Sequence, residues 1–588
     1  MKNLFAISVV IILIITTNIF SQDIKSYNQQ KEVVEKYLSE RGEVYFRFYH
    51  SSKEQINMLS RIISIDNVID RVIYYEVLAY ANKDEMEEFM KYNIMFEVIG
   101  PLKDLEGIEM GSDIRQIMEW DTYPTYQGYL DMMNNFQVLY PDICQVINFG
   151  TTVQNRQLLT VKISDSVSVR KNKPQFFYSS SAHGDELTGY VLMLRLIDTL
   201  CKGYGSDPKI TFLLNNCEIW INPLANPDGT YHGGDSTISG ARRYNANNID
   251  LNRNFPDPAE GPYPTGPWQP ETIAMMNIAT ENNFVMSATF HGGIELISYP
   301  WGTWSRLPGD DDWFIYTLRR YVDTVHSINP SYMISNGGYP NIPGITNSNS
   351  WYRIVGGKKD YIDYYRGGRE VSIELSNIKT PPSSSLPNYW NYNHKSFFNY
   401  VQETLYGIRG IITDSVTGLP LKAKIKVDGK EIRDSTWVTT DSLIGDYHRL
   451  IYAGTYTLKF FAPNYHKKAV SDVYVQNDST TILNVKLSPI ETHISQEPQI
   501  PTAFELYQNY PNPFNPATKI RFDIPRSSSV KLVVYDMLGK EVEIILNKKL
   551  NAGKYEVDWN GTDYSSGVYF YRLEANEFSE VIKMLLVK

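Results

Sequence analysis

Cysteine is scarce: Cys144, Cys201 and Cys217 are the only three in 588 residues. None is spaced as a zinc-ligand pair and at most one bridge can form, which excludes a disulfide scaffold. Charge of one sign is not concentrated either. The 66 acidic and 56 basic residues are spread along the chain, for a formal net charge of −10. That leaves no basic stripe for nucleic acid. Beyond the first residues no apolar run is long enough to span a bilayer. The opening "MKNLFAISVVIILIITTNIFSQ" sets Lys2 before an apolar run that ends in polar and small residues. This is the layout of a secretory signal over residues 1–21, removed on export, with an uncleaved anchor as the alternative.

What is present is ordinary globular material, 42% hydrophobic and 21% charged, with 43 tyrosines and 24 phenylalanines to fill cores. The length exceeds what one core organises, so several domains are expected. Residues 24–112 mix charged helical stretches with strand-like ones such as "EVYFRFYH", which fits a small α+β domain. Residues 117–405 alternate helical patterns such as "GYVLMLRLIDTL" with buried-strand runs, "PQFFYSSS", "EIWINPL", "FVMSATF" and "EVSIELS". That alternation predicts an α/β domain, a mixed sheet with helices on both faces. From 407 to 489 short alternating runs predict an all-β sandwich. The polar stretch 490–503 reads as a linker, and 504–588 as a second β-sandwich.

The chemistry belongs in the α/β unit, where side chains just beyond the carboxyl ends of the strands line a crevice. In "SSSAHGDELTGY" His183 and Glu186 follow a strand at such a point. His291 ends the apolar run "SATFHGG", before two glycines that permit a tight turn. Two histidines and a carboxylate with an open fourth position form a ligand set used by catalytic zinc. Between them "GARRYNANNIDLNRNFPDP" is rich in Arg and Asn, groups that grip carboxylates. Glu374 interrupts an otherwise apolar strand, so it is either paired or functional.

In order, "HGDE", "NPDG", "RYNANNIDLNRNFPD", "FHGG…YPW", "GITNSNSWYRIVGG" and "IELS" resemble the zinc metallocarboxypeptidases, nearest to the carboxypeptidase N and E subfamily. The resemblance covers 117–405 and extends to a transthyretin-like β domain at 407–489. It implies that His183, Glu186 and His291 bind one zinc ion and that Asp250 orients His183. It makes Glu374 the general base and acid, Arg243 the group that receives oxyanion charge, and Asn252, Arg253 and Tyr352 the clamp on a free C-terminal carboxylate. The implied partners are peptide or protein C-termini. The subfamily prefers basic C-terminal residues through an acid after its "YPF" run, where this chain has Gly302 in "YPWG". Lys359 stands where relatives that prefer basic residues carry an acid at the pocket base. A poor rate on Lys or Arg ends, and a better one on acidic or polar ends, is therefore expected.

Two further readings concern the ends of the chain. "LYQNYPNPFNPATKIRFDIP" and "SSGVYFYRL" resemble the C-terminal sorting domain of the type IX secretion system, which implies contact with secretion machinery and a route through the periplasm to release or the cell surface. The leading domain is a propeptide folded over the cleft or a retained accessory domain. The rival functions on this fold are a zinc deacylase, a carboxypeptidase of cell-wall stem peptides, and a non-catalytic peptide-binding protein.

Overall fold

A computed structural model describes residues 27–99, 106–432, 434–490, 495–497, 500–537, 539–562 and 564–588. The expected signal at 1–21 lies outside them. By internal contacts the chain divides into two compact units. One runs up to Gly410 and takes in Lys426–Thr457 and Ser471–Leu483; the other comprises Ile411–Ile425, Leu458–Val470 and Asn484–Lys588.

The first unit opens with α1 (Tyr27–Arg41), β1 (Val44–His50), α2 (Lys53–Leu59), β2 (Ser64–Asp70), β3 (Tyr75–Ala81), α3 (Lys83–Met90) and β4 (Phe96–Val98). The strands form a sheet in the order β2-β3-β1-β4. Alternation in β1 buries Val44, Phe46 and Phe48 against Ile56, Met86 and Phe89 of the helices, which gives the small α+β domain its core. A capping box starts α3: Asn82 accepts from the Glu85 amide and Glu85 from the Asn82 amide. Such a cap is worth about 1 kcal/mol.

The larger part is built on β5 (Cys144–Thr151), β6 (Gln157–Ile163), β7 (Gln175–Ser180), α4 (Thr188–Gly203), β8 (Glu218–Asn222), α5 (Pro270–Glu281), β9 (Phe284–His291), β10 (Ile294–Tyr299), α6 (Asp311–His326), β11 (Ile345–Asn347), β12 (Arg369–Ser376) and α7 (Leu386–Gln402). The strands make one eight-stranded sheet, β11-β10-β12-β9-β7-β8-β6-β5. Its centre, β12-β9-β7-β8, is parallel, whereas β10 runs antiparallel to β12 and β6 antiparallel to β8. Phe176 and Tyr178 of β7 face one layer of core with Leu192, Phe314 and Phe397. Phe177, with Trp220, faces the other, against Met275 and Ile278 of α5. Covering on both faces explains why these strands read as unbroken apolar runs. It also places the carboxyl ends of β7, β9 and β12 side by side at one edge.

Residues 407–489 are divided between the units. In the first, Gly407–Arg409 pairs in parallel with Thr480–Ile482; in the second, Ile412–Asp414 pairs in parallel with Val485–Leu487.

The rest of the second unit carries two four-stranded sheets. One is ordered Ser495–Glu497, Gly553–Asn560, Ala517–Ile524, Glu505–Leu506; the other Glu541–Leu550, Ser528–Tyr535, Gly567–Ala575, Phe578–Leu586. Alternating side chains, such as Ile520 and Phe522 from one and Leu532, Tyr571 and Leu573 from the other, make a shared core, as in a β-sandwich. Part of the expected linker is thus an edge strand: Ser495–Glu497 pairs with Lys554–Glu556.

Candidate active site

The backbone around His183 is shaped by two tight spots. Ser181 leaves β7 at φ +56°, and Gly184 sits so close to the Gly229–Thr230 backbone that a Cβ would meet the Gly229 carbonyl carbon at 2.4 Å. Only glycine allows that approach. Asn226 of "NPDG" ties the facing loops, accepting from the Gly229 amide at 2.9 Å and donating to the carbonyls of Ala182 and Arg243, each at 3.3 Å. His291 is the last residue of β9 and pairs in register with Glu374 of β12.

These elements bring the three expected ligands together. Glu186 Oε2 lies 2.8 Å from His183 Nδ1 and 2.8 Å from His291 Nδ1, and the two Nδ1 atoms are 3.2 Å apart. All three side chains are buried. Two imidazole nitrogens and a carboxylate oxygen facing one point is a donor set that fits zinc. Asp250 Oδ1 is 3.1 Å from His183 Nε2, the contact that fixes an imidazole's orientation.

Charge is dense here. Burial would raise the Glu186 carboxyl, but the charges of His183 and Lys379 hold it well below the usual range. Asp250 follows the same pattern, burial being overturned chiefly by Arg243 and then His183. Burial pushes His291 down to about 4. Glu374 goes the other way, pushed well above the usual carboxylate range by burial and then by the Glu186 charge.

Arg243 reaches the same cavity: its Nη1 is 3.1 Å from His183 Nδ1 and 3.4 Å from Glu186 Oε1, while Nε donates to Asp250 at 3.0 Å. Glu374, Asn252, Arg253 and Tyr352 also line it. Asn252 Oδ1 accepts from the Lys358 amide at 3.0 Å, and its Nδ2 is 3.4 Å from His291 Nε2. Lys359 is not among the lining residues. Its Nζ donates to Ser298 Oγ at 2.8 Å, and Ser298 lines the cavity. Rather than reaching solvent, Lys359 is 5% exposed.

Several residues unmarked by any sequence motif meet at the site. Lys379, just beyond β12, donates to Glu186 Oε1 at 2.8 Å. Strand β2 enters the cavity: Asp66 Oδ1 lies 3.1 Å from Arg243 Nη1 and 2.7 Å from Lys379 Nζ. Ser64 accepts from Arg243 Nε at 2.9 Å and donates to Asp250. The Ile65 carbonyl takes Arg253 Nη2 at 2.9 Å, and the Asp66 carbonyl takes the Tyr352 hydroxyl at 3.4 Å. Glu43 accepts from the amides of Arg243 and Tyr244, both at 3.1 Å. A lone lysine after a strand and an aspartate in an α+β segment carry no spacing that marks them, so sequence reasoning passes over both.

The zinc carboxypeptidase family pattern matches residues 129–396, and that of the secretion system C-terminal sorting domain matches 508–588. Human carboxypeptidase D is 35% identical over 383 residues, 62% of this chain but 27% of that protein, so the chain spans little more than a quarter of it. Mouse carboxypeptidase M is 33% identical over 58% of this chain and 79% of that protein. Carboxypeptidase E of Caenorhabditis elegans is 30% identical over 67% of this chain and 92% of its own length. With the ligand set assembled and relatives matched over most of their length, the chain belongs to the zinc carboxypeptidase family.

Proposed function

We propose that the chain is an exported zinc carboxypeptidase that hydrolyses the last residue from peptides or proteins. The observation that carries this reading is the convergence of His183 Nδ1, His291 Nδ1 and Glu186 Oε2 on one point of a cavity also lined by Glu374, Arg243 and Arg253. His183, Glu186 and His291 would hold one zinc ion. When bound, zinc supplies Lewis acidity toward the scissile carbonyl and lowers the pKa of water.

The remaining tasks fall to the chain's own side chains. Glu374, buried and with its proton affinity raised, takes a proton from the attacking water and returns it to the leaving amine. Arg243 faces the cavity with a charge that stabilises oxygen only as it becomes negative, a transition-state interaction. Arg253 and Tyr352, which here donate to the carbonyls of β2, hold the substrate's terminal carboxylate together with Asn252. An internal peptide bond would leave those donors unpaired, which makes the enzyme an exopeptidase. Asp250 keeps the His183 ring in one tautomer.

The domain assignments follow the same reading: a signal at 1–21, a leading domain at 24–112, the catalytic domain at 117–405, a transthyretin-like domain at 407–489 and the sorting domain at 504–588, with Ser495–Glu497 of the expected linker 490–503 belonging to a sheet of that last domain. The leading domain acts as an inhibitory propeptide. It occupies with Asp66, Ser64 and two β2 carbonyls the groups that a substrate needs, so the intact chain is latent until that domain is cut free. The sorting domain carries the protein through the periplasm to the exterior or the cell surface.

The test uses the full chain with a protease site inserted between residues 99 and 106, cut and loaded with zinc. A peptide with a free C-terminus should lose one residue at a time. Release should stop with a zinc chelator, and Glu374→Gln should lower kcat by about 10²–10⁴-fold. Release undiminished in Glu374→Gln or unaffected by chelator would overturn the reading.

A further inference from the structure

Lys358 and Lys359 are neighbours in sequence, and both are buried. Their surroundings differ. Lys358 Nζ is 3.0 Å from Glu370 Oε1, a buried ion pair, and 3.0 Å from Thr289 Oγ1. Lys359 Nζ has only neutral partners: Ser298 Oγ at 2.8 Å, the Ser298 carbonyl at 3.3 Å, and Ser348 Oγ. Among the described residues no carboxylate lies within 4.0 Å of it. A buried cation whose carboxylate neighbours all stand beyond ion-pair distance is only partly compensated, and an anion arriving in direct contact is correspondingly favoured.

The position of that cation decides what it can select. Ser298 lines the active-site cavity with Ser372, Ile354 and the clamp residues Asn252 and Arg253, so the ammonium stands one hydrogen bond behind the cavity wall. The nearest acid in sequence, Asp360, is turned away to the backbone and accepts from the Gly302 amide at 3.0 Å and the Thr303 amide at 2.8 Å. Gly302 supplies no acid at its own position, and a Cβ there would press on Ile354 Cβ at 3.0 Å. The cavity beside the clamp therefore presents hydroxyls backed by a positive charge.

We propose that the enzyme removes acidic C-terminal residues, Asp or Glu, and that Lys359 is the residue that selects them. The inference rests on the carboxypeptidase reading above and specifies its substrate class. The side-chain carboxylate of the departing residue accepts from Ser298 and pairs with the Lys359 ammonium, whereas a Lys or Arg end would meet a like charge at low dielectric.

Peptides identical except for a last residue of Glu, Gln, Leu or Lys, offered to the zinc-loaded, cut full chain, test the assignment. Glu should exceed Gln in kcat/KM by about tenfold or more and Lys by more than that. Lys359→Met should bring the Glu-to-Gln ratio near 1 while Leu release continues, which separates lost selection from lost folding. The unaltered protein supplies a second readout. Burial lowers the Lys359 ammonium to about 8, against the fields of Asp360, Asp363, Glu374 and Glu370. The Glu-over-Gln preference should thus be full at about pH 6.5 and fade towards about pH 9.5, where the group is neutral. Equal rates on Glu and Lys ends, or a Glu-to-Gln ratio unchanged in Lys359→Met, would overturn the selection alone. No release from any free C-terminus would remove the carboxypeptidase reading, and this inference with it.

Discussion

At the scale of single residues, Lys379 shows what a ligand list omits. It holds Glu186 Oε1 at 2.8 Å, leaving Oε2 to face the two histidines. Outer-shell partners of this kind fix the ligand's direction, and losing one costs about 10–100-fold in metal affinity. Lys379→Met is therefore expected to weaken zinc binding by that order in a chelator competition, with Lys379→Arg recovering part of the loss. Unchanged affinity in Lys379→Met would reduce Lys379 to a packing role. The same fold of chain shows which residues were legible beforehand. His183, Glu186 and His291 are legible as a set: His291 ends an apolar strand and His183 and Glu186 follow another within six residues, a coincidence that none of the three carries alone. Lys379 shares in no such coincidence, and only the folded sheet edge brings it to Glu186.

At the scale of elements, the central strands were legible because both faces of β7, β8, β9 and β12 are covered, which demands unbroken apolar sequence. Their order in the sheet was not, since a buried run says nothing of its neighbours. Strand β2 is the extreme case. As "SIDNVID" it reads as an ordinary strand, but its carboxylate and carbonyls contact Arg243, Lys379, Arg253 and Tyr352. Those contacts are long-range and leave no local pattern. They carry an expectation about latency. Removing one partner of a buried pair costs about 3–5 kcal/mol, so Asp66→Ala should loosen β2 and raise the activity of the uncut chain by about tenfold or more. Cutting between 99 and 106 should raise it further. An uncut, unaltered chain as active as the cut one would show that β2 does not inhibit.

At the scale of the whole molecule, the proposed function assigns chemistry and export to different parts of the sequence. The two family patterns fall on residues 129–396 and 508–588, without overlap, and the second unit holds a core of its own. Deleting 504–588 should leave kcat/KM of the cut, zinc-loaded protein within about twofold, because substitutions remote from a site seldom touch it. The same deletion should keep the protein inside a host that has the type IX system. A truncated protein that still reaches the medium would contradict the export assignment. The central claim concerns the last peptide bond, and one measurement bears on it most directly: mass spectrometry of a single peptide offered to the cut, zinc-loaded chain as the free acid and as the C-terminal amide. The account predicts stepwise loss of one residue from the acid and none from the amide, because Arg253 and Tyr352 need a terminal carboxylate. Equal shortening of both, or cleavage within the chain, would contradict it.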